Sequence, residues 1–174
     1  MIYNTSDKVL IRDFTEADAE IITREEIAQG WHQTAQKYLS RIKDRNEGLC
    51  VSLVAEYKGN AAGYINVYKQ SHGGPAAMKG LPAIVDFGVL EKYRRRGIGS
   101  LLMDCAEQIA ARYADTVWLG VGLHAGYGSA QRMYIKRGYI PDGSGVWYGD
   151  RPCEPYGECV NDDDLLIFMS KKLR

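Results

Sequence analysis

Between Ile84 and Ile109 this chain joins an extended apolar segment to an amphipathic helix through a turn that holds two glycines. Ile84-Val85-Asp86-Phe87-Gly88-Val89-Leu90 reads as a strand. After it, Ile98, Leu101, Leu102, Cys105 and Ile109 recur at i, i+3, i+4, i+7 and i+11, the helical period. The connection is Tyr93-Arg94-Arg95-Arg96-Gly97-Ile98-Gly99-Ser100. A helix start normally places Ser, Thr, Asp or Asn ahead of its first free N–H groups, and none stands immediately before Gly97. Two glycines in a first turn cost about 1 kcal/mol each relative to alanine, but they let a ligand come up to the main chain. Free N–H groups, the positive end of a helix dipole and three arginines together suit a phosphate or pyrophosphate. The alternative is a water-capped turn beside a solvated basic cluster.

Two nucleotide signatures are excluded. A P-loop needs Lys and then Ser or Thr after its last glycine, whereas Ile98 follows Gly97 and Leu101 follows Ser100. A dinucleotide fingerprint needs a third glycine, and Met103 and Asp104 stand where it would fall. The pattern present is Arg-x-x-Gly-x-Gly, carried by Arg94, Gly97 and Gly99 after Val89-Leu90-Glu91-Lys92-Tyr93. It resembles the coenzyme A signature of the GNAT superfamily of N-acetyltransferases. Downstream, Ser129-Ala130-Gln131-Arg132-Met133-Tyr134-Ile135-Lys136-Arg137-Gly138-Tyr139 is similar to that superfamily's Ala-x-x-Leu-Tyr-x-x-x-Gly-Phe segment, with Met133 for Leu and Tyr139 for Phe. The close match spans residues 84–140, about a third of the chain.

Composition fits one compact domain over residues 1–174, since 45% of the residues are hydrophobic and a chain of this size buries about two-thirds of its unfolded surface. Met1 to Lys8 lacks an apolar run of signal-peptide length, and no stretch approaches the roughly 20 apolar residues of a membrane span. A cytoplasmic protein that does not engage membranes is expected. Cys50, Cys105, Cys153 and Cys159 form no Cys-x-x-Cys pair, so free thiols and no metal are expected. With 22 basic against 22 acidic residues there is no global field for nucleic acid, and a nucleic-acid module built on the arginine run ranks last. Charge is polarised locally: Lys92 and Arg94 to Arg96 are basic, whereas residues 142–164 carry seven carboxylates against Arg151.

Periodicity gives the order β-α-α-β-β-β-α-β-α-β-β. A strand covers Lys8 to Asp13, and Thr15 with Asp18 caps a helix through Ile21, Ile22 and Ile27. Ala35, Tyr38, Leu39 and Ile42 mark a second helix that Gly48 ends. Leu49 to Tyr57 and Ala61 to Lys69 form a hairpin through Lys58-Gly59-Asn60, and residues 70–82 are a loop. Strand 83–90, helix 97–113, strand 116–123, helix 128–137 and strand Leu165 to Lys171 follow, with a long loop before the last strand. That order implies an α/β (α+β mixed) fold with helices on both faces of a mixed sheet. The resemblance implies a mostly antiparallel central sheet whose central strand pair splays to admit the pantetheine arm of the coenzyme.

In the strand before the glycines, a period of two puts Asp86 and Gly88 on one face and Val85, Phe87 and Val89 on the other. Gly88 either makes room for a ligand or marks a bulge, and Asp86 either accepts a loop hydrogen bond or serves as a base. An amine with pKa near 10 must lose a proton before attacking a thioester. The resemblance implies Asp86 as general base and Tyr134 as general acid, the alternative for Tyr134 being a packed core residue. It further implies that Val89 and Leu90 hold the pantetheine by main-chain atoms. Arg94, Arg95, Arg96, Gly97, Ile98, Gly99 and Ser100 would bind the pyrophosphate. Tyr127 stands where many relatives carry Asn, leaving Ser129 as a substitute cofactor contact.

The implied activity is acetyl transfer from acetyl-CoA to a small cationic amine or a peptide amine. Trp147, Tyr148 and Tyr156 in the acidic segment suit an ammonium by charge and cation–π contact, the alternative being a solvated loop. A non-catalytic acyl-CoA sensor is the competing class. The sequence fixes no oligomeric state, a homodimer being one option.

Overall fold

The computed structural model describes residues 1–6, 8–77 and 80–174. Its elements are β1 (Ile2–Thr5), β2 (Val9–Asp13), α1 (Glu16–Ala28), α2 (Ala35–Asn46), β3 (Cys50–Tyr57), β4 (Asn60–Tyr68), α3 (Gly74–Ala77), β5 (Ala83–Val89), α4 (Ile98–Ala110), β6 (Thr116–Gly122), α5 (Gly128–Lys136), β7 (Ile140–Tyr148), β8 (Arg151–Pro152) and β9 (Leu165–Lys172). The strands pair antiparallel except for β5 with β6 among the described residues, so the fold is the expected mixed α/β one. The chain divides into two compact units, Met1–Tyr68 with Val85–Ile109, and Lys69–Ile84 with Ala110–Arg174.

In the first unit β1, β2, β3 and β4 follow one another antiparallel. The β3–β4 hairpin closes at Tyr57↔Asn60, and its two linking residues, Lys58 and Gly59, both take positive φ, of 51° and 79°. That is the turn whose twist matches flanking strands. Helix α1 starts as expected: Thr15 accepts from the Asp18 N–H while the Asp18 carboxylate accepts from the Thr15 N–H, satisfying two end groups at once. The core gathers Phe14, Ile22, Tyr38, Ile42, Val54, Tyr64 and Leu90. Strand β5 joins this unit from Val85 onward, where the Leu90 N–H donates to the Ala62 carbonyl at 2.9 Å and Asn66 Nδ2 donates to the Val85 carbonyl at 3.3 Å.

The second unit takes up the other end of β5, which runs parallel to β6 at Ala83↔Trp118 and Ile84↔Leu119. Antiparallel β9 then pairs with both β6 and β7, and β8 with β7. Val117, Leu119, Val121, Tyr134, Tyr139, Leu165 and Met169 are buried.

Three expectations need correcting. An edge strand, β1, precedes the expected first strand; only four residues long and part-exposed, it carries too short a pattern to read. The region expected to be a loop from 142 is strand β7 as far as Tyr148, followed by the short β8. Its pattern is broken because register shifts between Pro141 and Val146, and Asp142-Gly143-Ser144-Gly145 bulges there. The loop expected over 70–82 contains α3; Met78 and Lys79 lie outside the described residues.

One core feature runs against its helix pattern. Glu26, on the same α1 stripe as Ile22, is 0% exposed. Its Oε2 accepts from the Tyr38 hydroxyl and its Oε1 from the Tyr64 hydroxyl at 2.8 Å, and the two hydroxyl oxygens lie 3.2 Å apart. Burial, together with that carboxylate, pushes both phenols above the usual tyrosine value. A group with a raised folded pKa stabilises fully below its unfolded value and stops doing so as pH rises through the folded one. Cys50, whose thiol burial pushes from 9.0 to about 11, acts in the same direction.

Two outcomes are expected. Glu26→Ala leaves two buried hydroxyls without their acceptor and should lower unfolding free energy by about 2–5 kcal/mol in denaturant titration. Wild-type stability should be flat to about pH 9 and fall as Cys50 and the core tyrosines pass their unfolded values, as read by circular dichroism.

Candidate active site

In the first unit the chain leaves β5 at Val89, makes a single 3₁₀ turn over Glu91–Tyr93, and enters α4 at Ile98. Gly97 is the residue ahead of the helix; its carbonyl accepts the first helical bond, from the Leu101 N–H at 3.1 Å. Its φ is +79°, a left-handed conformation that L side chains rarely adopt, and Arg95 before it also lies at +60°. A Cβ on Gly97 would meet nothing within 4 Å. Glycine is therefore required by the turn of the backbone, and the space in front of it is open. The N–H groups of Ile98, Gly99 and Ser100 form the first turn, with no side chain on Gly97 to accept from them. Gly99 is half-buried, Ser100 exposed, and Ile98 anchors the turn in the core at 1% exposure.

All three arginines are exposed, but two are held. Arg94 donates from Nε to the Val89 carbonyl at 3.3 Å, pairs with Glu91 at 3.2 Å and lies 5.5 Å over the Trp31 ring. Arg96 lies 5.1 Å over Tyr57. These contacts tie two of the three guanidinium groups to neighbouring protein groups ahead of α4.

Upstream, β5 carries an irregularity at Asp86, whose φ is +51°, rather than at Gly88, for which a bulge is one of two readings. Aspartate tolerates this conformation better than most residues, but it is still strained by roughly 1 kcal/mol or more. The Asp86 carboxylate, 17% exposed, accepts from Arg41 Nε at 2.6 Å and lies 3.6 Å from Lys37 Nζ. Arg41 in turn donates to the Tyr68 hydroxyl at 2.8 Å, lies 5.4 Å over the Tyr68 ring and sits 3.7 Å from Asp44. Burial alone would lower the Arg41 guanidinium, but Asp86 and Tyr68 outweigh it and hold it above its ordinary value. Gly88 does not open room for a ligand. A Cβ there would fall 2.8–2.9 Å from the end of the Tyr64 ring and its hydroxyl, so the missing side chain accommodates Tyr64.

The second unit holds the other expected residues. Tyr134, on α5, is 6% exposed, its ring 5.7 Å from that of Tyr139, and burial drives its hydroxyl above the usual tyrosine value. Ser129 is exposed at the second position of α5, behind a helix start with no side-chain cap. After β6, His124 Nδ1 accepts from the Gly126 N–H at 3.1 Å, which leaves the hydrogen on Nε2 to bond Asp163 Oδ1 at 2.9 Å. The Tyr127 hydroxyl donates to the same oxygen at 2.9 Å. In the acidic segment Asp162 accepts from Tyr148 at 2.8 Å and Trp147 packs edge-on against Phe168. With Asp142, which accepts from the Ser144 N–H at 2.9 Å and hydroxyl at 2.7 Å, three of the carboxylates considered for an acceptor amine thus have internal partners. Tyr156 is fully exposed. The four cysteines are free, and no His, Cys, Asp and Glu cluster able to hold a metal occurs among the described residues.

The acetyltransferase (GNAT) family model matches residues 12–139. The chain belongs to that family. It is an acyltransferase, and acetyl-CoA is the acetyl donor of a GNAT enzyme. Against curated proteins no match is found. Among solved structures the fold is shared with Ard1 from Thermoplasma volcanium, at 22% identity over 95% of this chain and 97% of that one with a TM-score of 0.69. It is also shared with yncA from Salmonella typhimurium, solved with acetyl-CoA, at 16% identity, 97% and 95% coverage and TM-score 0.69. A third is the ribosomal-protein-alanine N-acetyltransferase from Brucella melitensis, at 20% identity, 94% and 99% coverage and TM-score 0.65. The residues present fit a GNAT donor: a helix start whose capping residue has no side chain, open space at Gly97 and flanking guanidinium groups match a pyrophosphate in charge and hydrogen bonding.

A test of this GNAT helix start follows from its backbone. Gly97→Val should cost about 1–2 kcal/mol of stability from φ alone, since nothing in the chain crowds the position, yet raise the Kd for coenzyme A at least ~10-fold by calorimetry.

Proposed function

We propose that this GNAT chain transfers an acetyl group from acetyl-CoA to the nitrogen of a cationic acceptor, a small amine or a peptide amine. The observation that carries the donor half is the left-handed Gly97 at an open helix start. In this reading Arg94 to Ser100 hold the pyrophosphate, the main chain of Val89 and Leu90 holds the pantetheine, and Ser129 adds a contact from the start of α5. When bound, the donor supplies an acyl carbon activated as a thioester.

Asp86 takes a proton from the acceptor ammonium, directly or through a water, because a free amine is mostly protonated at neutral pH. Its placement beside Lys37, a cation of the acceptor's own kind, supports this role. Tyr134 gives a proton to the leaving sulfur; its raised pKa keeps the hydroxyl protonated through the neutral range, as an acid must be. The cationic class of acceptor is supported by the seven carboxylates of residues 142–164, and the peptide-amine option by the likeness in fold to a ribosomal-protein-alanine N-acetyltransferase.

An acetyl-CoA consumption assay over a panel of amines tests the reading. Asp86→Asn and Tyr134→Phe should each lower kcat by roughly 10²-fold while leaving the Kd for coenzyme A within about twofold. Wild-type kcat should show no descending limb from Tyr134 up to pH 10.0, its ordinary value. Full activity of Asp86→Asn at every pH would remove Asp86 from the mechanism.

A further inference from the structure

Lys37 is the amine that the chain itself places at the proposed proton acceptor. Its Nζ lies 3.6 Å from Asp86 Oδ1, 5.5 Å from the centre of the Tyr38 ring and 5.9 Å from that of Tyr64. Its side chain is only 27% exposed. An ammonium of a foreign acceptor would seek the same surroundings, a carboxylate and two aromatic faces. The neighbouring cation on Asp86, Arg41, is a guanidinium that stays protonated and is no nucleophile at any working pH. Lys43 and Lys92 also pair with carboxylates but are more open: Lys43 with Glu47 at 3.9 Å and 76% exposure, and Lys92 with Glu25 at 2.5 Å and 53% exposure.

We propose that Lys37 is an acetylation site of this enzyme, modified by its own active centre when no acceptor is present. The inference rests on the reading of Asp86 as proton acceptor and of acetyl-CoA as donor. Lys37 passes one ammonium proton to Asp86, and its nitrogen bonds the acetyl carbon as the carbon–sulfur bond of the thioester breaks. The products are Nε-acetyl-lysine and the thiol of coenzyme A. Of the two protons that the ammonium loses, one ends on the sulfur and the other is released through Asp86 to solvent. Holding the amine at the site replaces a bimolecular encounter by an intramolecular one, so Lys37 should outpace the exposed lysines despite its ion pair. Its acetylation turns a cation into a neutral amide and leaves Arg41 as the partner of Asp86.

The experiment is peptide mass mapping of the full-length chain incubated with acetyl-CoA alone, at neutral pH, against a heat-unfolded control. Acetylation should appear at Lys37 at least ~10-fold faster than at Lys43 or Lys92, vanish on unfolding, and slow in Asp86→Asn. Adding a good acceptor amine should suppress it. Lys37→Arg should remove the labelled peptide while a thermal melt confirms that the variant is folded. If the enzyme turns over acceptor amines but Lys37 stays unmodified, or is labelled no faster than the exposed lysines, the inference falls and the proposed function stands. If calorimetry finds no binding of acetyl-CoA to the folded chain, both fall.

Discussion

The first turn of α4 opens on a glycine, so its capping position has no side chain to accept from the first N–H groups. Helix ends leave N–H groups that must be satisfied, and most helices solve this locally, as Thr15 and Asp18 do at α1. At α4 the capping position is Gly97, with no side chain to offer and a backbone that other residues rarely adopt. Gly99, inside the helix, weakens it on propensity alone. The compensation is open space in front of a partial positive charge, bordered by arginines already held by Trp31 and Tyr57. A local capping rule broken at a helix start is where a ligand is expected to complete the structure.

A second constraint radiates from β5. Asp86 sits in a strained conformation, and its carboxylate is tied to Arg41, whose guanidinium is fixed in turn by Tyr68 and Asp44. Two residues on, Gly88 admits the ring of Tyr64, whose hydroxyl reaches the buried Glu26. Residues 86 to 88 are thus fixed on one face by charge pairs from α2 and on the same stretch by an aromatic from β4. A strand so restrained holds the main chain of Val89 and Leu90 in one arrangement, with the Leu90 N–H on the Ala62 carbonyl.

Much of this fold was legible because its elements follow simple periods. The 3.6-residue recurrence at Ile98 to Ile109, the capping pair Thr15 and Asp18, and the Lys58-Gly59 turn all lie where the sequence places them. What escaped has physical causes. The four residues of β1 are too few to show a period, and β7 hides behind the bulge at Asp142 to Gly145, whose glycines read as a loop. The ion pair of Arg41 with Asp86 spans 45 positions, and no local pattern links the two. Glu26 did leave a signal, since a carboxylate falls on the buried stripe with Ala19 and Ile22. Gly88 reads as room for a ligand or as a bulge, whereas its neighbour in space is Tyr64, which only the fold reveals.

The central claim is that the bare peptide nitrogens at the start of α4 grip the diphosphate of the donor. Backbone amide resonances of the isotopically labelled protein, followed during titration with coenzyme A, address it directly. The account predicts that the amides of Ile98, Gly99 and Ser100 move first and furthest, as hydrogen bonds to phosphate form. Saturable binding that leaves those three amides unmoved would contradict it.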